Sequence, residues 1–574
     1  MSKRRVRLTT SSGWLAVAVL AFAWAPGRAA AAGDPAAWRA AVDAYRRGHE
    51  VAIVRELADL VALPNVASDM PGIRRNAEAL AAMLRRRGIA ARLLTPDGEM
   101  AVPGGASGSA GASSTGGAAA AAAAGTAPPA MAAVPPVVYG ELRSPGARHT
   151  LVLYAHYDGQ PVDAAEWRSP PWKAMLRSGP LPAAPRDIDL ASLAGGAGGP
   201  LDPEWRLFGR SASDDKGPIV AMLAALDALR AAGVAPSINV KFFFEGEEEA
   251  GSPHLGAILA RHRELLAADA WLLADGPVHA SRRPQVCFGA RGVAPLQVTA
   301  YGPVRALHSG HYGNWAPNPA AVLVELLAAL RGADGTIGIP GFGDDVRPLT
   351  AAERQAIAAM PPVEDDLRRE LGLAWTDRPG ERLQDALMRP ALNVVGLRAA
   401  QVGAQARNAI PTDATAAIDF RLVPDQTPLK VRSRVEDHLR RLGYTVVDRE
   451  PDLGTRRAHA RLLRLEWGPG YPGARTAMDL PISRAVLAAA DEAAGAPVVR
   501  VPMLGGSIPM YLFAEATGAP VLLVPTVNHD NSQHAADENL RLQNLWDGID
   551  LFATLLARIE ALWPAPSAPA RASR

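Results

Sequence analysis

Cysteine and lysine are scarce in this sequence of 574 residues. The single cysteine, Cys287, excludes an intramolecular disulfide, so the fold must be held by its core and by any metal ions it binds. Only five of the 60 basic residues are lysines, and the arginines are spread along the chain. With a net charge of +2 the composition lacks the basic surface typical of nucleic-acid-binding proteins. The length predicts two or more domains.

One internal segment, residues 103–136, has neither a charged nor an aromatic side chain and consists mainly of alanine, glycine, serine and proline. Such a segment cannot bury enough apolar surface to offset the entropy lost on ordering, so we predict a disordered surface insertion. Residues 564–574 are rich in proline, alanine and serine and are predicted to be a flexible tail.

The N-terminus has the pattern of an export signal. Four of the first seven residues are basic, an apolar stretch follows over residues 14–25, and small residues occupy 27–33. This pattern predicts a signal peptide over residues 1–32 and a periplasmic or secreted bacterial protein. Both the general and the twin-arginine export routes remain open. The apolar stretch is short for a bilayer, so no stable membrane span is expected, with an uncleaved anchor as the alternative.

The remainder alternates strand and helix signals. Apolar runs at 150–159, 237–246, 270–276 and 519–530 are typical of buried strands, and residues 217–233 are typical of a helix. Continuous apolar strands separated by helices predict an α/β fold with a mostly parallel sheet covered on both faces.

Acidic residues and histidines follow the predicted strands. The stretch "KFFFEGEEEAGS" (241–252) places four carboxylates within five positions, which alone would indicate a solvated loop. Similar residues follow the other strands or precede the helix: His156, Asp158, Asp214, Asp215, Asp275, His529 and His534. Because ligands of open α/β sheets bind outside the carboxyl ends of the strands, these side chains are expected to converge around a cation.

The kinds of side chain indicate the metal. Two imidazoles and several carboxylates without thiolates suit zinc, with manganese or cobalt as alternatives. There are too many acidic groups for one tetrahedral ion, so we predict two ions roughly 3.5–4 Å apart, bridged by one carboxylate. A further carboxylate beside them would act as general base.

Several short motifs resemble the dinuclear zinc metallopeptidases that include carnosinases, bacterial dipeptidases, glutamate carboxypeptidases and aminoacylases. The motifs occur in the family's order, and the match is to the carnosinase and dipeptidase branch. They are "AHYDGQPV" (155–162), "GRSASDDKGP" (209–218), "EGEEEAGS" (245–252), "ADG" (274–276), "LHSGHYG" (307–313), "FRLVP" (420–424), "GGSIP" (505–509) and "HAADENL" (534–540).

The resemblance implies a role for each residue of the metal centre. Asp214 would bridge the two ions, although "DDKG" leaves Asp215 as the alternative. Glu248 would be the general base, Asp158 would orient His156, and Glu247 is expected to be a solvated neighbour. The remaining metal ligands would be His156 and Asp275 on one ion and Glu249 and His534 on the other.

The resemblance also implies two domains. Residues 33–292 and 473–563 would form the catalytic domain, and residues 293–472 an α/β lid and dimerisation domain. A helix with Asn318 as its N-cap is predicted over residues 318–332. The chain would form a homodimer in which His308 reaches the partner's active site and stabilises an oxyanion.

Four further residues are implied on the substrate side. Arg421 would bind the substrate's terminal carboxylate, and Asn408, Gly506 and Ser507 would add hydrogen bonds. Carnosinase-like relatives often carry a histidine in the stretch that corresponds to residues 466–479, which has none here. Tyr471 or Arg475 would take its place.

We therefore expect an exported dinuclear zinc metallopeptidase that hydrolyses dipeptides or short peptides with a free terminal carboxylate. The alternative enzyme is an N-acyl-amino-acid amidohydrolase, which would use the same metals and base. A non-catalytic, metal-stabilised binding protein is a third reading, disfavoured because such a protein would not need Glu248 beside its metals.

Overall fold

The computed structural model describes residues 35–100, 134–195 and 200–563. The predicted signal peptide, residues 103–133 of the predicted insertion and the predicted C-terminal tail lie outside the described residues. Residues 134–136, which the sequence assigned to the insertion, are described and lead into a strand.

The described ranges contain 22 strands and 14 α-helices. The strands are β1 (Ala91–Thr95), β2 (Gly98–Met100), β3 (Val137–Leu142), β4 (Thr150–His156), β5 (Met175–Arg177), β6 (Asp187–Ile188), β7 (Arg206–Phe208), β8 (Asn239–Glu245), β9 (Ala270–Leu273), β10 (Gln285–Cys287), β11 (Gly289–Tyr301), β12 (Leu307–His308), β13 (Ala391–Arg398), β14 (Ala409–Ile410), β15 (Asp413–Leu422), β16 (Thr445–Val447), β17 (Leu462–Trp467), β18 (Ala474–Arg475), β19 (Val499–Val501), β20 (Leu504–Ser507), β21 (Val521–Leu523) and β22 (Asn539–Arg541). The helices are α1 (Pro35–Val61), α2 (Met70–Arg86), α3 (Lys216–Ala231), α4 (Leu255–Arg261), α5 (Ser309–Tyr312), α6 (Pro319–Leu330), α7 (Ala351–Ala359), α8 (Glu364–Glu370), α9 (Leu383–Leu387), α10 (Pro428–Arg441), α11 (Leu453–Ala458), α12 (Pro481–Ala494), α13 (Met510–Thr517) and α14 (Leu542–Leu562).

The largest sheet has nine strands in the order β19-β10-β21-β9-β4-β8-β3-β1-β2. Its central strands β21, β9, β4 and β8 are parallel to one another. The predicted α/β class is thus confirmed, and the sheet is mixed, because β3, β1 and β2 are antiparallel at one edge and β10 is antiparallel to β21.

Both faces of the central strands are buried, as expected for parallel strands. Leu151 and Leu153 of β4 pack into a core shared with helices α1, α2, α3, α12 and α14. The alternate residues Val152 and Tyr154 pack into a second core with α4 and α13. The uniformly apolar sequence of these strands follows from burial on two sides.

A second sheet has the order β13-β15-β11-β17-β16, and its core packs against α6 and α10. The predicted N-cap of α6 is confirmed, because Asn318 Oδ1 accepts a hydrogen bond from the Ala320 backbone at 3.0 Å. The 13-residue strand β11 enters this sheet after its first residues pair with β18 and β20. Within the described ranges, no helix has the length and apolar character needed to cross a membrane.

Candidate metal centre

The four central parallel strands deliver their carboxyl ends to one edge of the large sheet. His156 is the last residue of β4, and Asp275 lies two residues beyond the end of β9. Glu248 and Glu249 lie just beyond β8, and His534 is in the loop after β21. Strand order therefore explains why residues distant in sequence meet, in line with the expectation for an open α/β sheet.

Two groups of possible metal ligands share one residue. In each group, one ligand atom from every residue lies within 4.8 Å of the others: His156, Asp214 and Asp275, and Asp214, Glu249 and His534. Asp214 Oδ1 lies 2.9 Å from His156 Nε2, and Asp214 Oδ2 lies 3.2 Å from His534 Nε2. One carboxylate thus presents each oxygen to a different imidazole, which is the arrangement of a bridging ligand.

The two groups differ in exposure. His156, Asp214 and Asp275 are all buried, whereas the His534 side chain is 55% exposed and its Nε2 lies 3.2 Å from Glu249 Oε2. The centre is therefore closed on the side of β4 and β9 and reached by solvent on the side of His534.

The electrostatics of the centre fit bound cations. Burial alone would lower the pKa of the His156 imidazolium. The hydrogen bonds to Asp158 and Asp214 raise it by more, so the net pKa is well above the ordinary value. Hydrogen bonds to Asp214 and Glu249 raise the pKa of His534 to about 10. Burial, together with the Asp214 carboxylate, raises the pKa of Asp275 to about 7. Divalent cations would neutralise the carboxylates gathered here, and the thiolate-free donor set suits zinc, manganese or cobalt.

Asp158 connects the two sides of the centre. Its fully buried carboxylate lies 3.4 Å from His156 Nδ1, and it accepts hydrogen bonds from the backbone N–H groups of Glu248 (3.1 Å) and Glu249 (3.0 Å). It can therefore orient the imidazole and also fix the loop that carries Glu248.

The structure distinguishes Asp214 from Asp215. The Asp215 carboxylate accepts a hydrogen bond from the backbone N–H of His156 at 3.2 Å, so it supports β4, and it belongs to neither ligand group. Asp214 is the residue that faces both imidazoles.

Glu538 is a residue that the sequence analysis missed. It is fully buried, and its Oε1 accepts hydrogen bonds from the backbone N–H groups of Ser213 (3.0 Å) and Asp214 (2.9 Å). Its Oε2 accepts from Ser211 N and Arg210 Nη1, both at 2.9 Å. Glu538 thus holds the loop that positions Asp214. The motif "HAADENL" contained this glutamate, but nothing in its spacing showed that it is buried.

Two amides missed by the sequence analysis touch the metal-ligand carboxylates. Gln533 Nε2 donates to Asp214 Oδ2 at 2.7 Å, and Gln160 Nε2 donates to Glu249 Oε2 at 2.8 Å. These bonds restrict the orientation of the carboxylates.

The glutamates of 245–249 occupy separate environments. Glu245 Oε2 accepts a hydrogen bond from the Tyr154 hydroxyl at 2.8 Å, and burial raises the pKa of Glu245 to about 8. The prediction that Glu247 is solvated is wrong, because its side chain is 4% exposed and accepts from the backbone N–H of His254 at 2.8 Å. Glu248 is half-buried, and burial, with Asp275 and Glu249 nearby, raises its pKa.

Two of the four predicted substrate-binding residues meet. Arg421 Nη1 donates to Ser507 Oγ at 2.7 Å, and Arg421 Nε is held by Asp419 Oδ2 at 2.7 Å. Gly506 precedes Ser507 and is exposed. Arg291, which no sequence motif indicated, is buried. Burial and the charge of Arg421 lower its pKa to about 10.

His308 lies in a small separate sheet of two strands, and Asn408 directly precedes the second of them. His308 in β12 pairs with Ala409 in β14, and the Asn408 carbonyl accepts from Ser309 N at 2.9 Å. Both residues are exposed, and His308 Nδ1 accepts from Gly310 N at 3.1 Å. Among the described residues, neither belongs to a metal-ligand group.

The structure separates the two residues predicted to replace the relatives' histidine. Arg475 is bound to Glu353 of α7, with Nε 2.9 Å from Oε1, and both side chains are 5% exposed or less. Tyr471 is half-buried, and burial and the Glu248 carboxylate raise the pKa of its hydroxyl.

Comparison with known proteins gives a consistent result. The family described as Peptidase family M20/M25/M40 matches residues 152–558. The chain is 26% identical over 437 residues to the Cys-Gly metallodipeptidase of Schizosaccharomyces pombe, covering 75% of this chain and 84% of that protein. It is also 26% identical over 437 residues to the Beta-Ala-His dipeptidase of Homo sapiens, covering 75% and 78%.

Solved structures share the fold. An M20 family metallo-carboxypeptidase from Sulfolobus solfataricus superimposes with a TM-score of 0.68 at 24% identity, over 89% of this chain and 99% of that one. The dipeptidase Dug1p of Saccharomyces cerevisiae gives a TM-score of 0.67 at 22% identity, over 92% and 99%. The family match extends over well more than half of the sequence and includes all of the possible metal ligands. The chain therefore belongs to peptidase family M20/M25/M40 and is a metal-dependent peptide hydrolase.

Proposed function

We propose that the protein is a dinuclear zinc dipeptidase that hydrolyses dipeptides or short peptides with a free terminal carboxylate. The observation that carries this proposal is the position of Asp214 between two imidazoles, with Glu248 beside the same group of carboxylates. The relatives named Cys-Gly metallodipeptidase and Beta-Ala-His dipeptidase support dipeptides as the substrate class.

Five residues would hold the metal ions. His156 and Asp275 would bind one ion, Glu249 and His534 the other, and Asp214 both. When bound, the ions would supply Lewis acidity and make a water molecule more acidic. Asp158, Gln160 and Gln533 would keep the ligands in orientation through the contacts described above.

Glu248 would move the proton. Its carboxylate would take a proton from the attacking water and deliver it to the nitrogen of the leaving amine. Burial raises the pKa of Glu248, and a raised pKa suits a group that must accept a proton in one step and release it in the next. The Asp158 bonds to the Glu248 and Glu249 backbone would fix the distance of this carboxylate from the substrate.

Arg421 would bind the terminal carboxylate of the substrate. Its guanidinium fork is already oriented by Asp419 and Ser507, so little side-chain entropy is lost on binding. A substrate held there would lie with its scissile amide toward Glu248 and its free carboxylate toward the second sheet.

We also propose a homodimer formed through the second sheet. Strand β13 is the edge strand of that sheet and exposes Val394, Val395 and Leu397 by 42%, 65% and 60%. An apolar edge strand of this kind favours pairing with a second copy. His308 is exposed in the single chain and is therefore free to reach a partner subunit. At the partner's active site it would stabilise the oxyanion.

Complementation in mixed dimers tests the partner's contribution. A chain with Glu248→Ala and a chain with His308→Ala should each be inactive alone. Co-expressed with separate affinity tags and purified through both, they should regain measurable turnover, because each mixed dimer contains one site with both residues. Absence of recovery in a verified mixed dimer would contradict a contribution in trans.

We propose export on the basis of the N-terminal sequence. A full-length chain expressed in a Gram-negative bacterium should be found in the periplasmic fraction, and a chain starting at residue 33 should stay in the cytoplasm. Equal distribution of both chains would contradict a signal in residues 1–32.

The substrate class is tested with a matched panel. The mature chain, loaded with zinc, should hydrolyse Ala-Leu and Gly-Leu but not N-acetyl-Leu at comparable enzyme concentration. Hydrolysis of N-acetyl-Leu alone would identify a deacylase. Two bound ions per chain with no hydrolysis of either class would instead indicate a binding protein.

A further inference from the structure

One face of the second sheet carries a row of three residues that begins at Arg421, here called the carboxylate clamp because it is proposed to bind the substrate's terminal carboxylate. Val293 of β11 is paired with Arg421 on one side and with Tyr471 on the other, and both pairings are antiparallel. Directly paired residues project to the same face of a sheet, so Arg421, Val293 and Tyr471 share one face. The two outer Cα atoms are about 10 Å apart, the sum of one narrow and one wide pair.

This face is the one away from the core of the second sheet. Along β15, Phe420 and Leu422 are buried, whereas Asp419 and Arg421 are partly exposed. Tyr471 is anchored by backbone hydrogen bonds of 2.9 and 3.0 Å to Val293. Gly292 permits this close approach, because a Cβ there would lie 2.4 Å from the Tyr471 carbonyl oxygen.

A second tyrosine extends the face. Tyr511 lies in the first turn of α13, which begins three residues after Ser507, the hydrogen-bond partner of Arg421. The rings of Tyr471 and Tyr511 are stacked, with centroids 6.0 Å apart and planes inclined by 16°. Both side chains are half-buried, so part of the pair remains open to the cleft.

The aromatic pair would lie beside a dipeptide bound between Glu248 and Arg421, because Tyr471 shares a sheet face with Arg421 and stacks on Tyr511. Burial and the Glu248 carboxylate raise the pKa of the Tyr471 hydroxyl, and Arg421 lowers it. In the proposed binding mode, Glu248 lies at the scissile amide and Arg421 at the terminal carboxylate. In a dipeptide the group between these two points is the C-terminal residue.

We propose that Tyr471 and Tyr511 form the wall against which the side chain of the substrate's C-terminal residue packs. The inference rests on the proposed dipeptidase function and makes it more specific: the enzyme should prefer dipeptides whose C-terminal residue is leucine or phenylalanine over those ending in glycine. Aromatic faces contribute a large apolar contact area with few rotatable bonds, which suits such a wall.

Paired substrates test the wall. Wild-type enzyme should show a kcat/KM for Ala-Leu and Ala-Phe about tenfold or more above that for Ala-Gly, the size of effect expected for filling an apolar pocket. Tyr471→Ala and Tyr511→Ala should each lower kcat/KM for Ala-Leu and Ala-Phe by about tenfold and change Ala-Gly little. Tyr471→Phe should retain the wild-type ratio, because the ring and not the hydroxyl makes the contact.

Tyr301 provides the matched control. It is at the far end of β11, and its hydroxyl donates to Glu450 at 2.6 Å. Tyr301→Ala removes a ring from the same strand and should leave the substrate ratio unchanged.

The outcomes separate the inference from the function on which it rests. Equal losses of kcat/KM on all three dipeptides in the Tyr471 and Tyr511 variants would show a structural role and contradict the proposed wall. A wild-type enzyme with the same kcat/KM for all three dipeptides would also contradict it. A zinc-loaded wild-type enzyme that hydrolyses none of the dipeptides would overturn the proposed function itself, and the wall with it.

Discussion

The metal centre and the substrate face are built differently. At the metal centre, His156, Asp158 and Asp214 are buried, His156 contacts both carboxylates, and Glu538 holds the loop of Asp214. On the substrate face, Arg421 and Tyr471 are partly exposed, and His308 is exposed on a separate small sheet. The residues proposed for the chemistry are thus preorganised at the edge of one sheet, whereas those proposed for substrate recognition lie on several elements and are more exposed.

The contrast has a physical basis. A cluster of carboxylates and imidazoles is tolerated in a buried place only when charges balance and hydrogen bonds are satisfied, so every group needs a fixed neighbour. Substrate-binding groups must be open to solvent before binding. Variants in the metal centre should therefore change turnover or metal content, and variants on the substrate face should change substrate affinity and selectivity.

The largest effect is expected for the general base. Glu248→Gln should lower kcat by about 10²- to 10⁴-fold, the contribution typical of general acid–base catalysis, while the metal content stays at the wild-type level. Steady-state kinetics with metal analysis of the same preparation would measure both. Glu247→Gln makes the same charge change in the same loop and should retain near wild-type turnover. Equal activity losses in the two variants would contradict the assignment.

A smaller effect is expected at the carboxylate clamp. Arg421→Ala should reduce kcat/KM for Ala-Leu by about 100-fold, because charge-assisted hydrogen bonds to the substrate are lost. Ala-Leu amide, which lacks the carboxylate, should be a poor substrate for the wild-type enzyme and no worse for the variant. If both substrates lose the same factor in the variant, Arg421 does not bind the carboxylate.

A variant of Glu538 tests how much the support of the Asp214 loop contributes to metal affinity. Glu538→Gln weakens the bonds that hold the Asp214 loop, and the metal affinity should fall by about tenfold, as for other residues that orient metal ligands. Competition with a zinc chelator would measure the affinity. Glu515→Gln, at an exposed position of α13, should have unchanged affinity. Unchanged affinity in the Glu538 variant would show that the loop keeps its shape without this carboxylate.

The smallest effect concerns Asp550, a half-buried carboxyl group outside the two groups of possible metal ligands. Burial raises the pKa of Asp550 in α14 from 3.8 to about 6. The folded state therefore binds this proton more tightly than the unfolded state, and the associated stability is present below pH 3.8 and lost as pH rises through 6. Asp550→Asn should raise the Tm relative to wild type at pH 7 by a few degrees and change it little at pH 4. A Tm difference that does not depend on pH would contradict this account.

Much of the fold could be predicted from sequence because the signals are local. Apolar runs identify β4, β8, β9 and β21, and their buried two-sided environment follows from that composition. The rule that ligands gather at the carboxyl ends of parallel strands was enough to bring His156, Asp275 and Glu249 to one place. The antiparallel pairing of β1 with β3 could not be predicted, since it joins segments on either side of residues 101–133.

Parts of the site could not be predicted from the sequence, because they too depend on contacts between distant segments. Glu247 is acidic like its neighbours, and only the position of His254 seven residues later explains its burial. Glu538 and Gln533 act on the Asp214 loop from more than 300 residues away, and no local pattern marks such contacts. The choice between Asp214 and Asp215 depends on which carboxylate faces the imidazoles, and adjacent identical residues give no sequence signal for that.

Metal stoichiometry tests the central claim that Asp214 joins two ions. Metal would be removed from wild-type protein, Asp214→Asn and Asp215→Asn with a chelator, and each protein would be reloaded with zinc. Elemental mass spectrometry would then measure the number of zinc ions per chain. We predict two tightly bound ions per chain for wild type and Asp215→Asn, and one or none for Asp214→Asn. Two ions retained in Asp214→Asn, or their loss in Asp215→Asn alone, would contradict a dinuclear centre bridged by Asp214.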